Sequence, residues 1–295
     1  MSKLIVVVGA TGGQGGSVAK YFLSDPEYRV RGITRNPESK KALELKALGV
    51  EVVKADVRDI DSLDKAFEGA YAIFAVTDYY ETFFAKGKDI AMTDGNAIAP
   101  HFESKGRVDQ FIRDNHPDLL EKTTFLIFGI FADNLTLYPI FKPIWLDAAK
   151  KWIQIWPAPA DAPFHSLADH KVNSGIFVHG IVTSKTPVKA GTYVTCWAES
   201  LTVGSAFELW GKATGRATGP GLTVILTITP ENYVALWGEM GEEQASQWRF
   251  FKYLAERGVQ SLEGAVDAVT LLTDKHKQEL ETTEQSWAKL GDATI

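Results

Sequence analysis

Leu4-Ile5-Val6-Val7-Val8 runs directly into Gly9-Ala10-Thr11-Gly12-Gly13-Gln14-Gly15-Gly16. An unbroken aliphatic run reads as a strand covered on both faces, the kind found in parallel sheets. The glycines at 9, 12 and 15 have the spacing G-x-x-G-x-x-G, and a helix is expected from about Ser17 to Ser24. A dinucleotide site needs this order. One glycine permits the tight turn, one lets backbone approach a pyrophosphate, and one lets the helix pack on the strand. The helix start adds unpaired N–H groups and the positive end of its dipole. The strand before and the helix after distinguish this stretch from an ordinary glycine-rich turn. Gly9, Thr11, Gly12, Gly13, Gln14 and Gly15 are therefore the candidate phosphate-binding residues.

The next strand, Tyr28 to Ile33, ends in Thr34-Arg35-Asn36-Pro37-Glu38. An NAD site places Asp or Glu at this strand end for the ribose 2′-hydroxyl. Here Arg35 stands there, and Glu27 lies at the wrong end. A guanidinium holds a 2′-phosphate with paired hydrogen bonds, so Arg35 favours NADP(H); the alternative is a solvated loop charge. Lys40 and Lys41 read more simply as a solvated helix face.

Strands and helices then alternate: a helix over 37–48, a strand over 50–55, a helix over 60–67 and a strand over 71–76. This rhythm predicts an α/β, doubly wound parallel sheet. Asp56 and Val57 follow the third strand, where the adenine end of a cofactor would lie, although Asp56 serves equally well as a helix cap. After Val76 the rhythm fails. The only convincing strand before residue 130 is 123–128, and 89–100 has no β-branched run. One sheet strand is therefore expected to be absent near residues 90–100. His101 to Asn115 reads as a helix, with Phe102, Val108, Phe111 and Ile112 on one face. Further on, a Pro- and Trp-rich run from Trp145 to Pro163 precedes expected helices over 167–182, 201–215, 230–237 and 242–257, with strands over 193–197 and 222–229. Residues 1–140 are expected to form the cofactor-binding core, with return elements from 160–200. Residues 141–295 would form mainly a smaller, mixed substrate region.

Composition narrows the class. A chain of 295 residues with a net charge of −6 argues against direct nucleic-acid binding. No apolar run is long enough for a membrane span. With the first strand at the amino terminus no secretory leader is expected, which leaves the cytoplasm or the nucleus. The single cysteine, Cys196, excludes an internal disulfide and is expected to be a buried, inert thiol. His165, His170 and His179 lack metal-ligand spacing, so no metal is expected.

Taken together, the glycine stretch 9–16, Ile33-Thr34-Arg35, Val53 to Asp59, Phe74 to Tyr80, His101 to Val108 and Phe128 to Leu135 make the chain resemble the NmrA-like family. These are atypical short-chain dehydrogenase relatives common in fungi. The resemblance is strongest before residue 140 and loose after about 185. It implies a Rossmann fold that prefers NADP(H). Members divide between reductases of small organic molecules, including those of secondary metabolism, and redox-sensing regulators that bind the cofactor without chemistry. It also implies a helix remainder and a fifth strand between Ala91 and Met92, followed by a Ser/Thr-rich loop, which this sequence lacks.

Short-chain reductases carry Tyr-x-x-x-Lys on the helix after that strand; here the spacing is met by His101-x-x-x-Lys105. One helical turn separates the two. Lys105 is the candidate for the nicotinamide ribose or for easing proton transfer, with a surface lysine as the alternative. His101 is the candidate proton donor, with a capping or packing role as the alternative. Phe131 and Asn134 follow a strand end and are candidates for the nicotinamide face. Thr77 and Tyr79, in the stretch covered by the resemblance, are candidate cofactor contacts; Tyr79 and Tyr80 could equally be aromatic packing. Two functions remain. One is an NADP(H)-dependent reductase of a small apolar or aromatic metabolite, with the Trp145–Pro163 run as a greasy pocket wall. The other is a non-catalytic NADP(H) sensor that binds a regulatory protein partner. Monomer and homodimer are both open.

Overall fold

The structure is a computed structural model that describes residues 2–76, 100–255 and 264–294. The chain divides into two compact units: Met1–Asp78 with Asp169–Pro187 and Ala268–Glu281, and Tyr79–Ala168 with Val188–Asp267 and Thr282–Ile295. The expectation of a strand missing near residues 90–100, and the Ala91–Met92 junction, fall outside the described residues.

The first unit is built on four parallel strands in the order β3-β2-β1-β4. These are β1 (Lys3–Val8), β2 (Tyr28–Thr34), β3 (Glu51–Lys54) and β4 (Ala72–Phe74). Five of the six residues of β1 are buried, as its aliphatic run requires. The connections are α1 (Gly13–Leu23), α2 (Lys40–Ala47) and α3 (Ile60–Phe67). The parallel sheet and its helical crossovers are the α/β architecture read from the sequence.

Element boundaries move for local reasons. Helix α1 starts at Gly13 rather than near Ser17, with Gly12 as an extended N-cap. Helix α2 starts at Lys40 rather than Pro37 because the Ser39 side chain accepts from the Ala42 N–H. In α3, Asp59 does the same for Ser62. The helix His170–Thr183 packs on α1 at close range. A Cβ on Gly175 would lie 2.5 Å from the Ser17 carbonyl oxygen. The Ser17 hydroxyl fastens the pair, donating to the Val172 carbonyl and accepting from the Gly175 N–H, each at 2.8 Å.

The second unit carries three small sheets, in the orders β13-β10-β5, β11-β9-β6 and β12-β8-β7. Its strands are β5 (Phe125–Phe128), β6 (Ile130–Phe131), β7 (Ile144–Leu146), β8 (Lys151–Trp156), β9 (Pro163–Ala168), β10 (Tyr193–Cys196), β11 (Glu199–Thr202), β12 (Thr223–Thr227) and β13 (Val266–Asp267). Between β5 and β6, Gly129 has no room for a side chain: a Cβ would lie 2.6 Å from the His165 carbonyl oxygen.

In this half the Trp145–Pro163 run, to which the sequence reading assigned no element, opens with a β7–β8 hairpin whose β8 pairs with β12, and two helix starts move. Trp156 in it is a core residue, edge-on to Trp248 with ring centroids 4.8 Å apart, and Trp152 packs on Trp210. The helix expected from Leu167 begins at His170, because β9 takes the preceding residues and Asp169 caps the start. The helix expected from Leu201 begins at Val203, where Thr202 and Ser205 form a reciprocal capping box.

Candidate functional site

The turn after β1 assigns different tasks to its glycines. Gly9 has φ +73°, a left-handed conformation that favours glycine. A Cβ on Gly15 would collide with the Gly9 carbonyl, so this glycine brings the helix onto the strand. Gly12 is less constrained, with a Cβ position 3.2 Å from the Gly9 oxygen, and its N–H donates to that oxygen at 2.9 Å. The space above Gly13 is taken by the imidazole of His170, a residue buried in the same unit.

The start of α1 suits an anion. Gly12 supplies no side-chain cap, and the first turn holds no acidic residue. Amides of that turn and the positive dipole end are thus presented without a competing carboxylate. Thr11 and Gln14 are half-buried at the same turn. The left-handed turn at Gly9 and the uncapped start of α1 have the form of a glycine turn that can receive the pyrophosphate of a dinucleotide.

Beyond the ends of β2 and β3 lies a cleft of about 210 Å³ lined by Arg35, Lys54, Ala55, Asp56, Asp59 and Ser62. Its position follows from register, since Thr34 pairs with Lys54 across the two parallel strands. Both carboxylates have local partners. The Asp56 carboxylate accepts from the Arg58 N–H at 3.0 Å, and that of Asp59 accepts from the Ser62 N–H at 3.3 Å. The Ser62 hydroxyl in turn accepts from the Asp56 N–H at 3.1 Å. The cap of α3 is therefore Asp59, and Asp56 lines the cleft. Val57, next to it in the chain, is exposed.

The other sequence candidates divide. Thr77 and Tyr79 lie outside the described residues. His101 and Lys105 are on one helix, Pro100–Asn115, in the second unit. Phe131 ends β6, and Asn134 opens the short helix Asn134–Leu137 with Asp133 as its N-cap. Both are half-buried in the second unit. Cys196 is fully buried, and burial pushes its thiol far above the usual range. Among the described residues no group of His, Cys, Asp or Glu could hold a metal ion, and no helix is long and apolar enough to cross a membrane.

Sequence reading missed Lys54, Asp59 and Ser62 in the cleft and His170 at Gly13. Lys54 had a signal, as it ends the strand beside Arg35's strand. His170 had none, because its approach to α1 is a long-range packing event. His179 also meets His276, which the sequence reading did not single out. His276 Nδ1 accepts from the Thr273 N–H at 3.2 Å, so its Nε2 carries the proton and donates to His179 Nδ1 at 3.0 Å. His179 Nε2 then donates to the Asp25 carboxylate at 3.0 Å.

The model of the NmrA-like family matches residues 1–97. The NmrA-like family domain-containing oxidoreductase lnaB of Aspergillus flavus is 44% identical over 227 residues, covering 61% of this chain and 68% of its own length. The oxidoreductase hkm9 of Aspergillus hancockii is 28% identical over 206 residues, 57% of this chain. That match spans only 61% of hkm9's own length, less than two thirds. Among solved structures, NmrA, a negative transcriptional regulator, in complex with NAD superimposes with a TM-score of 0.69 at 16% identity, covering 98% of this chain and 95% of its own. The same regulator in complex with NADP gives 0.65 at 17% identity, with coverage of 98% and 95%. At such identity the likeness establishes the fold.

Proposed function

This chain belongs to the NmrA-like family, and from that premise we propose that it is an NADP(H)-dependent oxidoreductase acting on a small apolar or aromatic metabolite. The observation that carries the reading is the first unit's uncapped α1 start, with Arg35 in the cleft at the next strand end. The glycine turn would hold the pyrophosphate. Arg35 would pair with the 2′-phosphate, and Asp56 and Val57 would flank the adenosine. The cofactor supplies the hydride. Lys105 is the residue for binding the ribose or assisting proton transfer, and His101 the proton donor. Thr77, Tyr79, Phe131 and Asn134 complete the cofactor contacts. The oxidoreductase names of lnaB and hkm9 support the enzymatic half of the proposal.

The competing reading is a redox sensor that binds NADP(H) and a protein partner. It is favoured by His101 in place of the reductase tyrosine and by the fold shared with the regulator NmrA. One experiment separates the two: NADPH oxidation against aromatic ketones, enones and imines, with Lys105→Ala in parallel. Turnover lost in the variant supports the enzyme. Tight NADPH binding without turnover on any of these substrates, together with a specific protein partner, supports the sensor.

A further inference from the structure

We infer that Lys54 is a second cation for the 2′-phosphate and that it sets the NADP(H) preference together with Arg35. The inference deepens the NADP(H) reading above and rests on it. Lys54 and Arg35 line one cleft of about 210 Å³. Register places them there: Thr34 and Lys54 are partners on adjacent parallel strands, and Arg35 is the next residue in the chain.

The charge chemistry asks for two cations. A phosphate monoester carries roughly −1.5 to −2 at neutral pH. Arg35 supplies one positive charge, and Asp56 and Asp59 border the same cleft. Those carboxylates accept from the backbone N–H groups of Arg58 and Ser62. A dianion held by Arg35 alone would remain undercompensated beside them. Lys54 supplies the missing charge. Among the described residues its ammonium enters no ion pair, whereas Lys46 is engaged with Glu38 and Arg31 with Glu51. For NADH the same ammonium has no phosphate to meet, so its contribution is selective.

The test is a titration of the full chain with NADPH and NADH separately, followed by fluorescence, with 2′,5′-ADP and 5′-AMP as short probes. Losing one charge-assisted phosphate contact should weaken NADPH and 2′,5′-ADP about tenfold or more in Lys54→Gln. NADH and 5′-AMP should be unchanged, which also shows that the variant is folded. Lys54→Arg should retain NADPH affinity. The salt dependence of NADPH binding should become shallower in Lys54→Gln. If Arg35→Ala collapses the NADPH preference but Lys54→Gln leaves it intact, Lys54 has no such role and the NADP(H) reading stands. If neither substitution changes it, or the chain binds neither dinucleotide, both fall. An equal loss of NADPH and NADH in Lys54→Gln would also overturn the inference, because it would place Lys54 away from the 2′ position.

Discussion

The two units solve the problem of packing in opposite ways. The first brings backbones together and uses small residues where they meet. Gly15 seats α1 on β1, and Gly175 and Ser17 let two helices touch. The second fills its interior with large rings: Trp156, Trp210, Trp248, Trp287, Phe207 and Tyr233 are all buried. In that unit the start of α1 follows the glycine turn, and the cleft lies beyond the ends of β2 and β3. Aromatic filling turns side chains inward, and its stability comes from buried area. The glycines of the first unit and the named tryptophans of the second are both structural, and the glycines also lie at the turn proposed for the cofactor.

That contrast can be broken by substitution. Trp156→Ala should cost about 3–5 kcal/mol through lost contacts and a residual cavity. Denaturant unfolding followed by tryptophan fluorescence would measure it. A loss below about 1 kcal/mol would show that the second unit does not depend on its rings.

Gly15→Ala should destabilise by about 1–3 kcal/mol, because its Cβ meets the Gly9 backbone and not a movable side chain. NADPH binding should be lost with it. Gly12→Ala, with a Cβ position 3.2 Å from that oxygen, should be milder in stability. Paired melting and NADPH titrations of the two variants would sharpen the division between a packing glycine and a cofactor glycine. Equal melting temperatures would remove it.

The smallest effect concerns pH. Burial, chiefly, holds His276 below its ordinary value of 6.5, with the neighbouring His179 acting in the same direction. The unfolded chain then binds more protons than the folded one below about 6.5, so stability is complete above that value and falls as pH drops. Asp25, lowered by its Glu27 backbone and His179 hydrogen bonds against the opposing effect of burial, loses its contribution only as pH falls through and below 3.8. Melting temperature measured between pH 7.5 and 5 (about two and a half units) should decline in the wild type and flatten in His276→Gln. A parallel decline in both would remove His276 as the source.

Much of the first unit was legible because its signals are local. Leu4 to Val8 read as a covered strand, Ile60 to Phe67 was bounded correctly although its cap is Asp59 and not Asp56, and Arg35 was placed at a strand end by counting. The second unit was harder to read. Its strands β7 and β13 are three and two residues long. Such segments have too few residues to show a period of two, and their partners are distant: β8 pairs with β12, some seventy residues on. Leu167 and Ala168, the end of β9, were absorbed into the following helix because Leu167 is apolar at a helix-compatible position, while the β11 and β6 pairings that make 163–168 a strand are nonlocal.

By itself the sequence determined the parallel α/β core, the glycine turn, the basic strand end and the family resemblance, because each depends on residues within one or two elements. Tertiary structure alone decided that Lys54 joins Arg35 in one cleft, that His170 occupies the space above Gly13, that His276, His179 and Asp25 form one hydrogen-bonded chain, and that Trp156 is core. Those facts depend on register and on packing between segments far apart in the chain. Side-chain type states what a residue can do, and only the long-range contacts state what it meets.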